Sequence, residues 1–313
     1  MKTANASYAL VDWGTTNLRI WLTDHAGAVV DEYHGPEGMG TLAQNQFAPV
    51  LEKILNALGA TQDLPVMICG MAGSRQGWHE AAYAACPVVL NDLAAHSVMF
   101  QSQQRVIRIL PGIARKDLSR PDVMRGEETQ LLGLSVAKNV STGLVCLPGT
   151  HSKWVNLQHG RIVDFVSVMT GELYALLRTH SILRHSTGSI AMVSANDPVF
   201  LEHVQIGMSS TGGLGRLFSI RAASLINNTD SANASAALSG LLVGTEIRDA
   251  SALLDQNSGA IHIIGSPKLG ALYEAALSVA GFDPQLQDGD ALVRAGLLSA
   301  ARQLQKVSIR AAE

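Results

Sequence analysis

The sequence predicts an α/β protein built from two similar domains. Three observations carry that prediction. Apolar runs of strand length alternate with helical patterns along the chain. A plan of three strands around a Gly-Thr turn opens the chain and returns later, Gly149-Thr150 standing against Gly14-Thr15 at an offset of 135 residues. The chain has 313 residues, 47% of them hydrophobic and 16% charged, enough core for about two domains of roughly 150 residues each.

Residues 8–12 and 18–23 read as strands around "DWGTTN", and 28–34 as a third strand after a turn at Asp24–Gly27. FAPVLEKILNAL, 47–58, has the spacing of an amphipathic helix. PVMICGMAG, 65–73, is a short buried strand running into a glycine loop, and 88–90 and 106–110 are further strands. RKDLSRPD, 115–122, reads as an exposed loop, and Glu127–Lys138 as a helix with an acidic first turn. GLVCLPGTHSKWVNLQHGRIVDFVSV, 143–168, repeats the opening plan. A helix over 172–179, a glycine-rich loop SSTGGLG at 209–215, and a long helix over 236–254 follow. The strand AIHIIG (260–265) leads through Ser266-Pro267 to a helix over 269–280, and a last helix covers about 291–304. A repeat this long is not a solenoid period. It divides the chain into residues 1–139 and 140–313, the final helix being free to pack back on the first domain.

Composition excludes several classes. A net charge of −3 argues against an extended nucleic-acid surface, which needs clustered Lys and Arg, and gives no support for a membrane surface. Cys69, Cys86 and Cys146 are far apart with no CxxC pair, so they read as reduced core thiols. The first apolar run is too short for a signal peptide, and no run of 18 apolar residues occurs. A soluble cytoplasmic protein is the expectation. HEAAY at 79–83 is not HExxH, and neither GxxxxGK[ST] nor a helix-opening GxGxxG is present.

The two Gly-Thr turns carry the chemistry. Glycine lets backbone approach a ligand closely, and the N–H and hydroxyl donors that follow suit a phosphate chain. One turn per domain could clamp one polyphosphate. Asp12 precedes only the first turn, since Leu147 stands at its place in the second. An oxygen ligand there suits Mg²⁺.

Asp12, Gly14, Thr15, Thr16 and Arg19 resemble the first phosphate motif of the actin-like ATPase superfamily, with the spacing seen in carbohydrate kinases related to glycerol kinase. Gly149-Thr150-His151-Ser152 resembles the second phosphate motif, Ile263–Gly270 the adenosine motif, and 291–301 the second connecting helix, all in the superfamily's order. The stretches GMAGSRQGW, MRGEETQLLG and LPGTHSKW together resemble the 2-dehydro-3-deoxygalactonokinase family. That resemblance implies two RNase H-like domains with an ATP cleft between them. It also implies ATP-dependent phosphorylation of the 6-hydroxyl of 2-dehydro-3-deoxy-D-galactonate in galactonate catabolism. ATP and Mg²⁺ are the implied cofactors and a small sugar acid the implied partner. A homo-oligomer is left open. A kinase for another small sugar or sugar acid, and a non-catalytic sensor on the same fold, are the alternatives.

Roles follow residue by residue. Gly14, Thr15, Thr16, Asn17, Arg19, Gly149, Thr150, His151 and Ser152 would meet the ATP phosphates, with Asp12 on the metal side; Gly265, Ser266 and Pro267 would meet adenosine. Glycerol-kinase relatives carry an Asp base after a glycine at a helix start. Here Gly126-Glu127-Glu128 stands in that place, one residue closer to the next glycine. Neighbouring helix positions diverge by about 100°, so one glutamate faces the substrate: Glu127 is expected as the base, with Glu128 second. Arg75 and Gln76 resemble the Arg-Glu pair that glycerol kinase uses for polyol hydroxyls, with Gln in place of the acid suiting an anionic sugar and Arg75 able to pair with a carboxylate; Ser74 is expected as a further donor and Trp78 as a wall. Lys153 could reach phosphate or substrate.

Overall fold

The computed structural model describes residues 6–188, 193–209, 213–254 and 259–310. In chain order the elements are β1 (Tyr8–Trp13), β2 (Leu18–Thr23), β3 (Val29–Gly35), α1 (Phe47–Ala57), β4 (Val66–Gly70), β5 (Ala84–Ala85), β6 (Val88–Val89), β7 (Val98–Ser102), β8 (Arg105–Ile109), β9 (Ile113–Arg115), β10 (Asp122–Met124) and α2 (Glu127–Lys138). They continue with β11 (Gly143–Leu147), β12 (Ser152–Gln158), β13 (Arg161–Val168), α3 (Thr170–His180), α4 (Arg184–Thr187), α5 (Pro198–Met208), α6 (Leu217–Ile226) and α7 (Ser231–Leu253). The last are β14 (Ala260–Gly265), α8 (Pro267–Val279), β15 (Asp283–Asp288) and α9 (Gly289–Arg310). Two compact units form. One takes the chain up to Thr142, Gln158–Val163 and everything from Gly289 on; the other takes Gly143–Leu157 and Asp164–Asp288.

The sheet of the first unit runs β3-β2-β1-β4-β8-β7. β1 and β2 are antiparallel, and β4 is parallel to both β1 and β8. Strand periodicity sorts the side chains. Ala9, Val11 and Trp13 of β1 join Phe47, Leu51 and Leu55 of α1 in one apolar cluster. The alternate face of β1 carries Asp12, whose carboxylate meets Cys69 of β4. α9 packs on α2, β1 and β4. Beside the edge strand β7, Arg105 of β8 is 1% exposed and donates from Nε to both oxygens of Glu52 at 2.9 and 3.0 Å, while its Nη1 donates to the Thr61 carbonyl.

The second unit repeats the order as β13-β12-β11-β14-β15. β12 is antiparallel to β11, and β14 is parallel to β11 and β15. Leu144, Cys146 and Trp154 pack with Phe200 of α5, Val243 and Ile247 of α7, and Tyr273 of α8. α7 begins at Ser231 because Asp230 caps it, its carboxylate accepting from the Asn233 N–H at 2.8 Å.

Most expected elements are present within a residue or two. α7 starts five residues before its apolar pattern does. β15, of sequence DPQLQD, was not legible, since a polar strand carrying proline is typical only of an edge. α5 and α6 were also missed. Of the glycine-rich loop, residues 210–212 lie outside the described residues, and Gly213–Arg216 forms a 3₁₀ turn.

Candidate active site

The first Gly-Thr turn joins β1 to β2. Gly14 N–H donates to the Asn17 carbonyl at 2.9 Å. The carbonyls of Gly14, Thr15 and Thr16 accept from the N–H groups of Met39, Gly40 and Gly38 at 2.9, 2.8 and 3.2 Å. Thr15, Thr16 and Asn17 are thereby held from behind and exposed in front. Gly38 permits this seat: a Cβ there would lie 2.2 Å from the Thr16 carbonyl carbon.

The second turn, between β11 and β12, is seated the same way. Thr150 O accepts from the Glu172 N–H at 3.0 Å, and a Cβ on Gly171 would lie 2.4 Å from the Gly149 oxygen. Gly38 stands three residues past β3, and Gly171 three past β13. Thr150 and His151 are exposed, and His151 Nε2 pairs with the Glu172 carboxylate. Ser152 corrects the expectation of a phosphate contact. It is fully buried, and its hydroxyl meets Tyr273 Oη at 3.1 Å and Glu246 at 3.4 Å. Lys153 is also buried, donating from Nζ to Ser167 Oγ at 2.6 Å.

Acids gather at one end of the first sheet. Arg19 Nη1 bridges Asp12 Oδ2 at 3.2 Å and Asp290 Oδ1 at 3.1 Å. Burial raises the Asp12 pKa above the usual carboxylate value, and Arg19 partly offsets this. The Cys69 thiol, 3.8 Å from Asp12 Oδ1, is pushed well up by burial, then by the charges of Asp12 and Glu128. Arg19, expected on phosphate, is engaged by these two carboxylates.

At the start of α2 both glutamates fold back on the chain before it. Glu127 Oε2 accepts from the Arg125 N–H at 3.0 Å, and Glu128 Oε2 from the Gly126 N–H at 2.7 Å. Thr129 Oγ1 donates to Glu128 Oε1 at 3.1 Å. Glu127 is half-buried, whereas Glu128 is wholly buried. Burial, then the neighbouring Glu127 charge, lifts the Glu128 pKa to about 8. The folded protein thus keeps a proton that an unfolded chain releases near 4.5. Stability from this group is present at low pH and lost as pH rises from about 4.5 toward 8. Glu128→Gln should remove that slope, which is on the order of a few kcal/mol in total. Denaturation midpoints of the two proteins between pH 5 and 8 test this; parallel curves would show that Glu128 does not hold the proton.

The loop after β4 carries the expected sugar-binding residues. Arg75 and Gln76 are exposed, the Arg75 side chain being 82% accessible with Nε 3.6 Å from Glu80. Ser74 is buried, and its hydroxyl has no hydrogen-bond partner among the described residues. Trp78 departs from its expected role. It is 6% exposed and stacks with Phe47 and against Trp13 and Phe100, so it is core.

In the second unit a cavity of about 260 Å³ is lined by Gly149, Thr170, Ser239, Ser266, Lys268 and Tyr273, among others. Its size is near the lower end of the roughly 300–1,000 Å³ of small-molecule sites. It joins the second Gly-Thr turn to the Gly265-Ser266-Pro267 turn, where Pro267 opens α8. Sequence reasoning missed Thr170, Ser239, Lys268, Glu246 and Tyr273. An acid at position 246, the first charge after the uncharged stretch Ser231–Thr245 of the helix, was the available signal. It also missed Asp290, one residue before the expected final helix.

Mg²⁺ takes one or two carboxylates and otherwise phosphate oxygens and water. Among the described residues no group of three or more His, Cys, Asp or Glu is gathered as an all-protein metal cage. The hard oxygen donors Asp12 and Asp290 fit that sparse protein share.

Comparison with known proteins follows the same lines. The profile of the family described as 2-keto-3-deoxy-galactonokinase matches residues 12–300. A probable 2-dehydro-3-deoxygalactonokinase of Rhizobium meliloti (strain 1021) is 43% identical over 296 residues, 94% of this chain and 96% of that protein. The 2-dehydro-3-deoxygalactonokinase of Escherichia coli (strain K12) is 33% identical over 301 residues, 95% of this chain and 98% of its own. A crystal structure of a candidate 2-dehydro-3-deoxygalactonokinase from Sinorhizobium meliloti superimposes with a TM-score of 0.90 at 43% identity, covering 95% of this chain and 99% of that one. The fold is the two-domain α/β fold of actin-like sugar kinases.

Proposed function

The chain belongs to the 2-keto-3-deoxy-galactonokinase family, and from that premise we propose how its residues transfer the γ-phosphoryl group of ATP to the 6-hydroxyl of 2-dehydro-3-deoxy-D-galactonate. The observation that carries the account is the closeness of Asp12 to the acidic start of α2: a Cβ on Gly70 of β4 would lie 3.4 Å from Asp12 Oδ1, and one on Gly126, directly before Glu127, 3.6 Å from Gly70 Cα. A kinase needs a carboxylate at the attacking hydroxyl and negative ligands for a metal. That end of the sheet supplies both.

Glu127 accepts the proton of the 6-hydroxyl as the sugar oxygen bonds to the γ-phosphorus and the bond to the β-phosphate oxygen breaks, releasing ADP. Its hydrogen bond from the Arg125 N–H orients the carboxylate. Glu128, buried beside it and inclined to stay neutral, anchors the helix start without adding a second charge. Arg75, Gln76 and Ser74 hold the sugar acid, with Arg75 facing its carboxylate. Gly14, Thr15, Thr16 and Asn17, and in the other unit Gly149, Thr150 and His151, offer donors to phosphate oxygens. Gly265, Ser266 and Pro267 border the adenosine. Asp12, with Asp290, would hold Mg²⁺, which neutralises charge on the phosphates when bound. The sugar acid thus belongs to residues 1–139 and adenosine to 140–313. We place the reaction in the cytoplasm, where ATP is abundant; no described helix is long and apolar enough to cross a membrane.

A panel of 2-keto-3-deoxy sugar acids, read by coupled ADP release, tests the reading. Turnover is expected with the galactonate-derived acid, lost with EDTA and restored by Mg²⁺. ATP hydrolysis indifferent to the sugar acid, or preference for a neutral sugar, would overturn it.

A further inference from the structure

Glu246 lies within α7, wholly inside the second unit, and is 1% exposed. Both of its oxygens are engaged. Oε1 accepts from the Trp154 indole N–H at 2.8 Å, and Oε2 from the Tyr273 hydroxyl at 2.7 Å. Ser152 Oγ closes a triangle, 3.1 Å from Tyr273 Oη and 3.4 Å from Glu246 Oε2. The Thr170 hydroxyl acts on this carboxyl too, offsetting part of the rise that burial gives its pKa. One buried acid therefore gathers side chains from β12 and α8.

Every donor named here is neutral, and burial raises the Glu246 pKa. An apolar residue of similar size would fill this position at lower cost. The arrangement makes sense by where its arms end. Ser152 directly follows the exposed turn Gly149–His151. Tyr273 and Thr170 line the same cavity as Gly149 and Ser266. We infer that Glu246 is a positioning residue that ties the wall of the adenosine cavity to the second Gly-Thr turn, so that a seated adenosine meets a phosphate turn already held in place. The inference rests on the reading of these two turns as nucleotide-binding.

A purely structural bond would affect adenosine and ATP alike, whereas a tie to the phosphate turn affects ATP alone. Tyr273→Phe keeps the ring that lines the cavity and removes the hydroxyl. Glu246→Gln keeps the size and an acceptor for Trp154 while removing the charge. Calorimetric titration of the full chain with adenosine and with ATP is the test. Each variant should bind adenosine within about 2-fold of wild type and ATP about 10-fold more weakly, the scale of one hydrogen bond to a charged group. KM for ATP should rise with KM for the sugar acid unchanged. Parallel losses for adenosine and ATP, or no loss for either, would overturn the tie while leaving the nucleotide reading intact. A wild type that binds neither would overturn that reading and the tie with it. Should Glu246→Gln fail to fold, Tyr273→Phe decides alone.

Discussion

Replacing Glu127 by glutamine should lower kcat by about 10²–10⁴-fold, the usual contribution of a general base. ATP affinity should stay within about 2-fold, because glutamine preserves the oxygen that accepts from the Arg125 N–H. The KM for the sugar acid should change little, since the lost interaction forms in the transition state. A coupled ADP assay over both substrates separates these quantities. The neighbouring Glu128→Gln variant is the control. It removes a group that is wholly buried and inclined to stay protonated, so its kcat at pH 7 should fall far less. If the two variants exchanged behaviour, the base would be Glu128 and the buried position would have to open during turnover.

The second large effect is on stability and lies away from the chemistry. Arg105→Ala should destabilise the first unit by about 3–5 kcal/mol, because it strands the buried Glu52 carboxylate without the Nε–H that both of its oxygens share. Chemical denaturation measures this directly. Replacing both residues together by methionine removes the stranded charge, and the double variant should recover most of the loss. Neither residue belongs to the candidate site, so kcat of the folded fraction should be unchanged. A single variant within about 1 kcal/mol of wild type would mean that the pair is hydrated in solution.

Much of this molecule was legible from residue order. The 135-residue echo of Gly14-Thr15 in Gly149-Thr150 foretold two sheets of one topology, because a β-meander with the same turn chemistry folds the same way twice. Asp12 stood out because an acid at the end of an apolar strand needs a reason. What stayed hidden depends on distance in space. Ser152 reads like a phosphate ligand, yet strand alternation turns it toward α7 and α8, and only the fold brings Glu246 and Tyr273 to it. Trp78 sits beside Arg75 in sequence but packs under α1. Asp290 reaches Arg19 from the far end of the chain, so no local pattern could join them.

The paired glycines Gly38 and Gly171 bear on affinity. Each lets one segment of main chain rest directly on the back of a Gly-Thr turn, with no side chain between to act as a cushion. Such a turn has no slack to withdraw into when a ligand presses on it, and none to wander through when it is empty. The loss of backbone freedom is met during folding, so under the proposed function a nucleotide would meet loops that are already preorganised.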